Sequence, residues 1–297
     1  MKVLSKKKIF WFAVIPLFFF FSFLLTQKSK PRNFLIGVFL SDRPNILELE
    51  RFRANYGKMP DIVMVFVDWG KFVDQDVVSA ACGRNIILLV TWEPWDAAVR
   101  KGIDYNGLIR GSYDDYISDF ALRIKGIGST VMIRFAHEQN GNWYPWSGSV
   151  IGDKAYINMY RHVKDIFDRE AVNNARWIYS VNWEDVPAEN NFLRFYPGDG
   201  YVDYVGIDGY NWGTTQGWGR WMEFGDIFTK RYAEIINNIP KPVLISEFGS
   251  SSQGGDRPAW IKNAFKEISG MKEVEGAVLF NMDKEADWGF KYGTRDA

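Results

Sequence analysis

The chain has 297 residues, 47% of them hydrophobic, and a formal net charge of +0. This length allows one large domain or two small ones, and the balanced charge argues against a nucleic-acid partner. Two histidines and one cysteine, Cys82, disfavour a His/Cys metal site and exclude an internal disulfide.

Residues 1–32 differ in composition from the rest of the chain. Four lysines precede an apolar run from Ile9 to Leu25, and three more basic residues follow it. This pattern is typical of a signal peptide or a signal anchor. Because no small-x-small cleavage site follows the run, we predict an uncleaved transmembrane anchor. Residues 33–297 would then form a membrane-anchored, extracytoplasmic domain.

Eight apolar, β-branched runs follow, and they predict buried strands. The runs are Phe34–Leu40, Ile62–Val67, Ile86–Val90, Val131–Phe135, Trp177–Val181, Tyr204–Ile207, Val243–Ser246 and Ala277–Phe280. Amphipathic segments fill most of the gaps and predict helices. These segments are Ile46–Tyr56, Asp74–Cys82, Tyr113–Lys125, Tyr156–Glu170, Met222–Asn237 and Pro258–Ser269.

The alternation of strands and helices implies parallel pairing through helical crossovers. Eight such units within residues 33–297 predict an α/β fold, a closed (β/α)₈ TIM barrel. A doubly wound open sheet is the alternative, but GVFLSDRP after the first run is not a Gly-rich phosphate turn. Residues 182–202 lack a strong helical pattern, so we expect one degenerate unit. Few residues follow the last run, so the closing helix should be short or absent.

Tryptophans cluster at the carboxyl ends of the predicted strands, where TIM barrels carry their active sites. Trp69, Trp92, Trp95, Trp143 and Trp288 all follow such ends. Packing alone gives no reason for this preference, so we expect these indoles to line a cleft. Sugar C–H faces stack on aromatic rings while hydroxyls bond polar groups, so the pattern favours carbohydrate. Tryptophans in the loop at positions 212–221 are equally compatible with loop packing.

The segment Thr130–Gly148 carries the densest set of candidate functional residues. An apolar strand turns polar at Arg134 and continues through His137 and Glu138 to Gly141. A zinc motif would require a second His at position 141, so it is absent. A structural ion pair between Glu138 and Arg134 is the alternative to a role at the mouth of a pocket.

A second acid, Glu247, ends the seventh predicted strand, and Glu138 ends the fourth. Two acids on a Trp-rich rim suit glycoside hydrolysis, which needs one protonated carboxyl and one ionised carboxylate. Asp68, Glu93 and Asp208 also follow strand ends and compete for these roles.

Four motifs together resemble glycoside hydrolase family 26, the β-mannanase family of the large (β/α)₈ glycosidase clan. They are AHEQNGNWYPW, YPGDGYVDYVGIDGYNW, VLISEFGS and FNMDKEADW, in the family's order and within residues 34–290. The resemblance implies retaining hydrolysis of a β-linked polysaccharide, with no metal and no organic cofactor. It assigns Glu138 as the acid/base and Glu247 as the nucleophile.

The resemblance also implies substrate-binding and positioning roles. His137 matches the His that precedes the acid/base, and Arg134 matches the Arg just before it. Tyr210 matches the Tyr that hydrogen-bonds the nucleophile. Arg134 and Tyr210 together would keep Glu247 ionised. Trp288 matches the indole under the sugar at the cleavage point.

Two departures bear on the sugar. Many family mannanases use a further His from an earlier loop, and here no His precedes His137. The sequence at positions 92–95, WEPW, looks more like the mixed-linkage glucanase branch. We therefore expect endo-β-1,4-mannan hydrolysis, with mixed-linkage β-1,3-1,4-glucanase or β-1,3-xylanase as alternatives. A non-catalytic carbohydrate-binding barrel in exopolysaccharide export is an alternative of another class.

Overall fold

The computed structural model describes residues 34–290, and in it eight parallel strands form a closed barrel. The strands are β1 Leu35–Phe39, β2 Ile62–Asp68, β3 Ile87–Glu93, β4 Val131–Phe135, β5 Ala175–Asn182, β6 Tyr204–Asn211, β7 Val243–Ser250 and β8 Val274–Phe280. Each strand pairs with the next along the chain, and β8 pairs with β1 to close the sheet. The predicted (β/α)₈ barrel is confirmed, with all eight strands.

Helices occupy most of the connections between strands. They are α1 Ile46–Tyr56, α2 Gln75–Cys82, α3 Tyr105–Ile109, α4 Asp114–Ile127, α5 Gly148–Ile151, α6 Asp153–Arg169, α7 Phe224–Asn238 and α8 Arg257–Ile268. Local sequence accounts for the ends of α1. Asn45 and Glu48 form a reciprocal capping box at its start, and Gly57 adopts a left-handed conformation after its end.

One connection lacks an α-helix, as predicted. Between β5 and β6 the chain makes only two 3₁₀ turns, Phe192–Phe195 and Asp199–Tyr201. After β8 no helix is present in the part of the chain that the structure describes, which ends at residue 290. The connection between β3 and β4 contains a small antiparallel ladder, in which Trp95–Asp96 pairs with Lys101–Gly102.

Side chains alternate between the two faces of each strand and so divide the core. In β4, Val131, Ile133 and Phe135 pack outward with the helices, whereas Met132 points into the barrel. The barrel interior contains an apolar layer, to which most strands contribute one residue. Its members include Ile62, Met64, Leu89, Met132, Ile178, Leu244 and Val278. This layer forms the floor on which the polar residues of the strand ends rest.

The predicted anchor and its boundary at residue 32 lie outside the described residues and stay predictions. Within residues 34–290, no helix combines the length and apolar character needed to cross a bilayer.

Candidate active site

A buried polar layer lies above the apolar floor of the barrel. Arg134 follows Met132 on the inner face of β4 and is fully buried. Its Nε donates to Thr91 Oγ1 at 2.9 Å, and its Nη1 donates to Asp208 Oδ1 at 2.8 Å. Ser180 and Ser246 donate their hydroxyls to Asp208 at 2.8 and 2.7 Å. These bonds fix the guanidinium beneath the mouth of the barrel.

The buried position of Asp208 disfavours the charged form of its carboxyl group. Burial raises the pKa of Asp208 to about 6, although Arg134 and the two serine hydroxyls oppose that rise. The approach of the serines requires glycine at position 206. A Cβ there would lie 2.4 Å from Ser246 Oγ and 2.5 Å from Ser180 Oγ.

A β-bulge in β7 places the second predicted acid. Ile207 pairs with Ile245, but the next residue, Asp208, pairs with Glu247. Ser246 is therefore the extra residue, and the alternation of faces is broken at this point. As a result, the consecutive residues Ser246 and Glu247 both point into the barrel. Ser246 donates to Asp208, and Glu247 faces the cleft.

Glu247 accepts hydrogen bonds on both carboxylate oxygens. Arg134 Nη2 donates to Oε1, and the Tyr210 hydroxyl donates to Oε2. The first is a charge-assisted bond within a buried ion pair. Burial and the charge of Glu247 raise the pKa of Tyr210 well above its ordinary range, so the phenol remains a neutral donor. Burial opposes the charge on Arg134, but Asp208 and Glu247 together raise its pKa.

Glu138 follows β4 in an unusual backbone conformation. Ala136 and Glu138 have φ values of 48° and 54°, a left-handed region that non-glycine residues rarely adopt. Backbone bonds hold this turn, since the amide of Glu138 donates to the carbonyl of Ser180 at 3.0 Å. Such conformations concentrate at functional sites, where the surrounding structure enforces them.

The environment of Glu138 favours its protonated form. Burial raises the pKa of Glu138 well above its ordinary range, and the charges of Asp208 and Glu247 raise it further. The indole Nε1 of Trp143 donates to Oε2 at 2.8 Å and, with Arg134, opposes the rise. The two predicted acids thus differ in their partners, a neutral indole for Glu138 and a guanidinium for Glu247.

Both acids line one cleft of about 1440 Å³ at the carboxyl ends of the strands. Of the predicted binding residues, Trp95, Trp143, Tyr210 and Trp288 also line it. Trp288 is almost fully buried, and its ring packs 4.8 Å from that of Tyr210. Trp143 is 38% exposed, so its indole is available to a ligand.

Two predicted cleft residues do not line the cleft, because Trp92 is fully buried in the core and Trp69 is half-buried against it. Trp92 stacks on Phe120 of α4 at 4.0 Å, and Trp69 stacks on Trp92 at 5.0 Å. Strand alternation explains the placement of Trp92, because Thr91 contacts the interior and Trp92 must therefore face the helices. These two indoles support the sheet beside the cleft and do not line it.

Arg134 and His137 lie behind the cleft wall and contact the residues that form it. His137 is buried, and its ring packs 4.9 Å from Tyr144 and 6.1 Å from Phe66. Burial lowers the pKa of His137 well below its ordinary range, and the charges of Arg134 and Lys284 lower it further. His137 is therefore a neutral packing partner of Tyr144, which does line the cleft.

Several cleft residues were not among the catalytic or binding residues that the sequence predicted. Glu93 was a competing acid only, yet it lines the cleft, and its Oε2 accepts from Trp95 Nε1 at 3.0 Å. Burial raises the pKa of Glu93 to about 7. Lys284 gave no sequence signal beyond its place after the last strand. The indoles of Trp183, Trp212 and Trp218 also line the cleft, and the first two follow strand ends.

The arrangement offers carboxyl groups, hydroxyls and indoles for ligand binding and proton transfer. Among residues 34–290, no group of three or more His, Cys, Asp or Glu side chains is placed to hold a metal ion. The absence of a cofactor stays a prediction.

The sequence and the fold were compared with those of known proteins. The sequence profile of glycosyl hydrolase family 26 matches residues 55–278. Endoglucanase H of Acetivibrio thermocellus is 36% identical over 263 residues, which are 85% of this chain and 28% of that protein. A mannan endo-1,4-beta-mannosidase of Bacillus subtilis is 30% identical over 147 residues, 47% of this chain and 36% of that protein.

The chain spans about a third of the length of these two relatives. The solved structure of a Bacillus subtilis mannanase shares the fold, with a TM-score of 0.64 and 18% identity. That alignment covers 84% of this chain and 80% of the other. Because the family profile matches most of the chain, the protein belongs to glycosyl hydrolase family 26, as the four motifs predicted.

Proposed function

We propose that the chain is a retaining endo-β-glycanase in which Glu247 is the nucleophile and Glu138 the acid/base. The observation that carries this proposal is the contrast between the two acids within one cleft. Glu247 accepts bonds from a guanidinium and a phenol, whereas burial and neighbouring charges raise the pKa of Glu138. When two neighbouring titratable groups have environments that favour different protonation states, one can act as the acid and the other as the base or nucleophile.

In the first step Glu138 gives its proton to the glycosidic oxygen while a Glu247 oxygen attacks the anomeric carbon. The bond between that carbon and the leaving oxygen breaks, and a covalent glycosyl-enzyme forms. Tyr210 and Arg134 hold the attacking carboxylate in one orientation, which spares the reaction the entropy of aligning it.

In the second step a water attacks the anomeric carbon and gives its proton to Glu138, and the bond to Glu247 breaks. Formation of the ester removes the negative charge of Glu247. Because that charge raises the pKa of Glu138 in the free enzyme, its loss lowers the pKa and prepares Glu138 to act as a base. The product therefore retains the β-configuration.

Two alanine variants and azide test the assignment. Glu247→Ala deletes the attacking atom, so hydrolysis should fall by several orders of magnitude on every substrate. Glu138→Ala should still form the glycosyl-enzyme from an aryl β-glycoside with a good leaving group, and then stall. Azide should restore its turnover and yield the β-glycosyl azide, whereas azide with Glu247→Ala should yield the α-anomer.

Glu189→Ala is a suitable control, because Glu189 is exposed and lies outside the cleft lining. Equal losses in Glu138→Ala and Glu247→Ala, with no rescue by azide in either, would refute the pair.

β-1,4-Mannan is the first candidate substrate. It is the substrate that the motifs imply, and the Bacillus subtilis relative is named for that activity. Mixed-linkage β-glucan is the second candidate, and specific observations favour it. The relative matched over 85% of this chain is named an endoglucanase, and a carboxyl–indole pair, Glu93 with Trp95, lines the cleft.

A hydrolysis screen separates these substrates. Purified enzyme is incubated with mannan, glucomannan, lichenan and β-1,3-xylan, and the products are sized. Cleavage of mannan but not lichenan supports the first candidate, and the reverse supports the second. Binding of a glycan with no release of reducing sugar from any of the four would instead support the carbohydrate-binding barrel.

We also propose that residues 1–32 anchor the enzyme in a membrane, with the barrel on the extracytoplasmic side. The support is the apolar run between basic residues and the absence of a cleavage signature. Mass spectrometry of the membrane-extracted protein should find peptides that precede Lys28. A mature form that starts near Lys28 would contradict the proposal.

A further inference from the structure

Four aromatic rings form a continuous series that begins at the nucleophile. Tyr210 bonds Glu247, and its ring lies 4.8 Å from that of Trp288. Trp288 lies 4.9 Å from Trp212, which lies 5.4 Å from Trp218. All four rings line the same cleft. The series therefore extends the cleft wall away from the catalytic centre.

From Trp288 outward, exposure rises toward the far end of the series. Trp288 is 1% exposed, whereas Trp218 at the far end is 72% exposed. Trp218 is the most exposed large apolar side chain in the part of the chain that the structure describes. An indole left in water forgoes the free energy that its burial would provide. The position of Trp218 on a cleft wall indicates that a ligand covers it.

The loop that carries Trp218 is held in place by hydrogen bonds at both ends. Asn211 Oδ1 accepts from the amides of Gly213 and Met222 at 3.2 and 2.9 Å, which ties the start of the loop to its end. The amide of Thr214 donates to the carbonyl of Gln253 at 3.1 Å. A Cβ at Gly213 would lie 1.8 Å from the Gln253 carbonyl oxygen, so this contact requires glycine.

This anchoring lowers the cost of ligand binding, because the loop is ordered before the ligand arrives. An ordered loop that presents one exposed indole suits a flat, partly apolar ligand. A pyranose ring is such a ligand, since its C–H face can stack on the indole while its hydroxyls remain in water.

We propose that Trp218 is the platform of a distal subsite that binds a sugar ring of the polysaccharide remote from the bond that is cut. The proposal rests on the proposed function, because its occupant is the same β-glycan chain. Trp143 is a second exposed indole and bonds the acid/base, so the cleft offers sugar-binding surface beyond the catalytic pair. Such a cleft binds an internal stretch of a long chain.

The test compares Trp218→Ala with the wild type on substrates of different length. We expect about a tenfold loss of kcat/KM on the polysaccharide that the wild type cuts, the order of one lost ring-stacking contact. Activity on an aryl β-glycoside too short to reach the loop should stay within about twofold of wild type. Trp218→Phe should recover most of the loss, because a ring remains.

Gln216→Ala is the matched control, since Gln216 lies in the same loop but outside the cleft lining. It should behave as wild type on both substrates. Equal losses on the short and long substrates in Trp218→Ala would indicate a structural role and overturn the proposal. Unchanged kinetics on the polysaccharide would overturn it too, and would leave a protein partner as the occupant.

A binding measurement separates failure of the subsite from failure of the proposed function. Affinity electrophoresis in gels that contain mannan or lichenan reports retardation without hydrolysis. If wild type hydrolyses neither glycan but is retarded, and Trp218→Ala is not, the subsite stands and the enzymatic proposal falls. If retardation is the same for both proteins, the subsite is refuted.

Discussion

Glu93 should make folding stability depend on pH, and the substitution Glu93→Gln should remove that dependence. Burial raises the pKa of this carboxyl from 4.5 to about 7, and the bond from Trp95 Nε1 offsets only part of the rise. The folded state therefore binds the proton more tightly than the unfolded state. This contribution to stability is fully present below pH 4.5 and is lost as the pH rises through about 7.

The size of the effect follows from the two pKa values. Between pH 5 and pH 9, ionisation of buried Glu93 should reduce the free energy of unfolding by about 2–3 kcal/mol. Glutamine cannot ionise, yet its amide oxygen can still accept from Trp95. The stability of Glu93→Gln minus that of wild type should thus rise by about 2–3 kcal/mol across this range. Asp208, whose pKa is also raised, is common to both proteins and cancels in the difference.

Urea unfolding followed by tryptophan fluorescence at pH 5, 6, 7, 8 and 9 measures the difference directly. Glu189→Gln controls for the loss of one acidic residue, because Glu189 is exposed, and its difference from wild type should be flat with pH. If the Glu93→Gln difference is equally flat, within about 0.5 kcal/mol, the reasoning from burial is refuted.

Three further substitutions test the buried layer and the two acids. Arg134→Met should lower the free energy of unfolding by about 3–5 kcal/mol in urea titrations, because Asp208 and Glu247 lose the cation between them. Tyr210→Phe keeps the packing but loses the hydroxyl that bonds Glu247, so kcat should fall by roughly 10–100-fold in steady-state assays; unchanged kcat would exclude a role for that bond. Trp143→Phe removes the N–H that lowers the pKa of Glu138, so the basic limb of the pH–rate profile should move to higher pH, and a move to lower pH would contradict Glu138 as the acid.

The barrel was predictable because its strands are buried on both faces. Such strands are short apolar runs between polar segments, and β4 has the bounds that its run predicted, Val131–Phe135. Helix α1 also has its predicted bounds, since the capping box of Asn45 and Glu48 and the glycine at position 57 mark its ends.

The ends of the strands were harder to predict, because a strand that borders a cleft can continue through polar residues. The run Val243–Ser246 predicted a strand that stops before Glu247, yet β7 continues to Ser250. Its last residues still pair with β6, where Tyr210 lies opposite Gly249. Side chains that face an open cleft tolerate polarity, so the polar sequence conceals the end of the strand.

To predict where each tryptophan lies, one needs its position in the alternation of side chains along the strand, in addition to its distance from the strand end. Trp92 and Glu93 are neighbours in sequence, but only Glu93 lines the cleft. The signal was present, because Thr91 and Glu93 are polar residues two apart and flank an apolar one. That period of two assigns the polar pair to the interior and Trp92 to the helices.

The bulge in β7 is the feature that the sequence could not reveal, and the site depends on it. In a regular strand Ser246 and Glu247 would point to opposite faces. Ser246 must face inward to bond Asp208, which in turn holds Arg134. Glu247 must face the same side to accept from Arg134 and Tyr210. An extra residue satisfies both requirements, and no residue type at these positions demands it. The contact between Arg134 and Glu247 therefore arises from strand pairing across the barrel, which only the folded chain establishes.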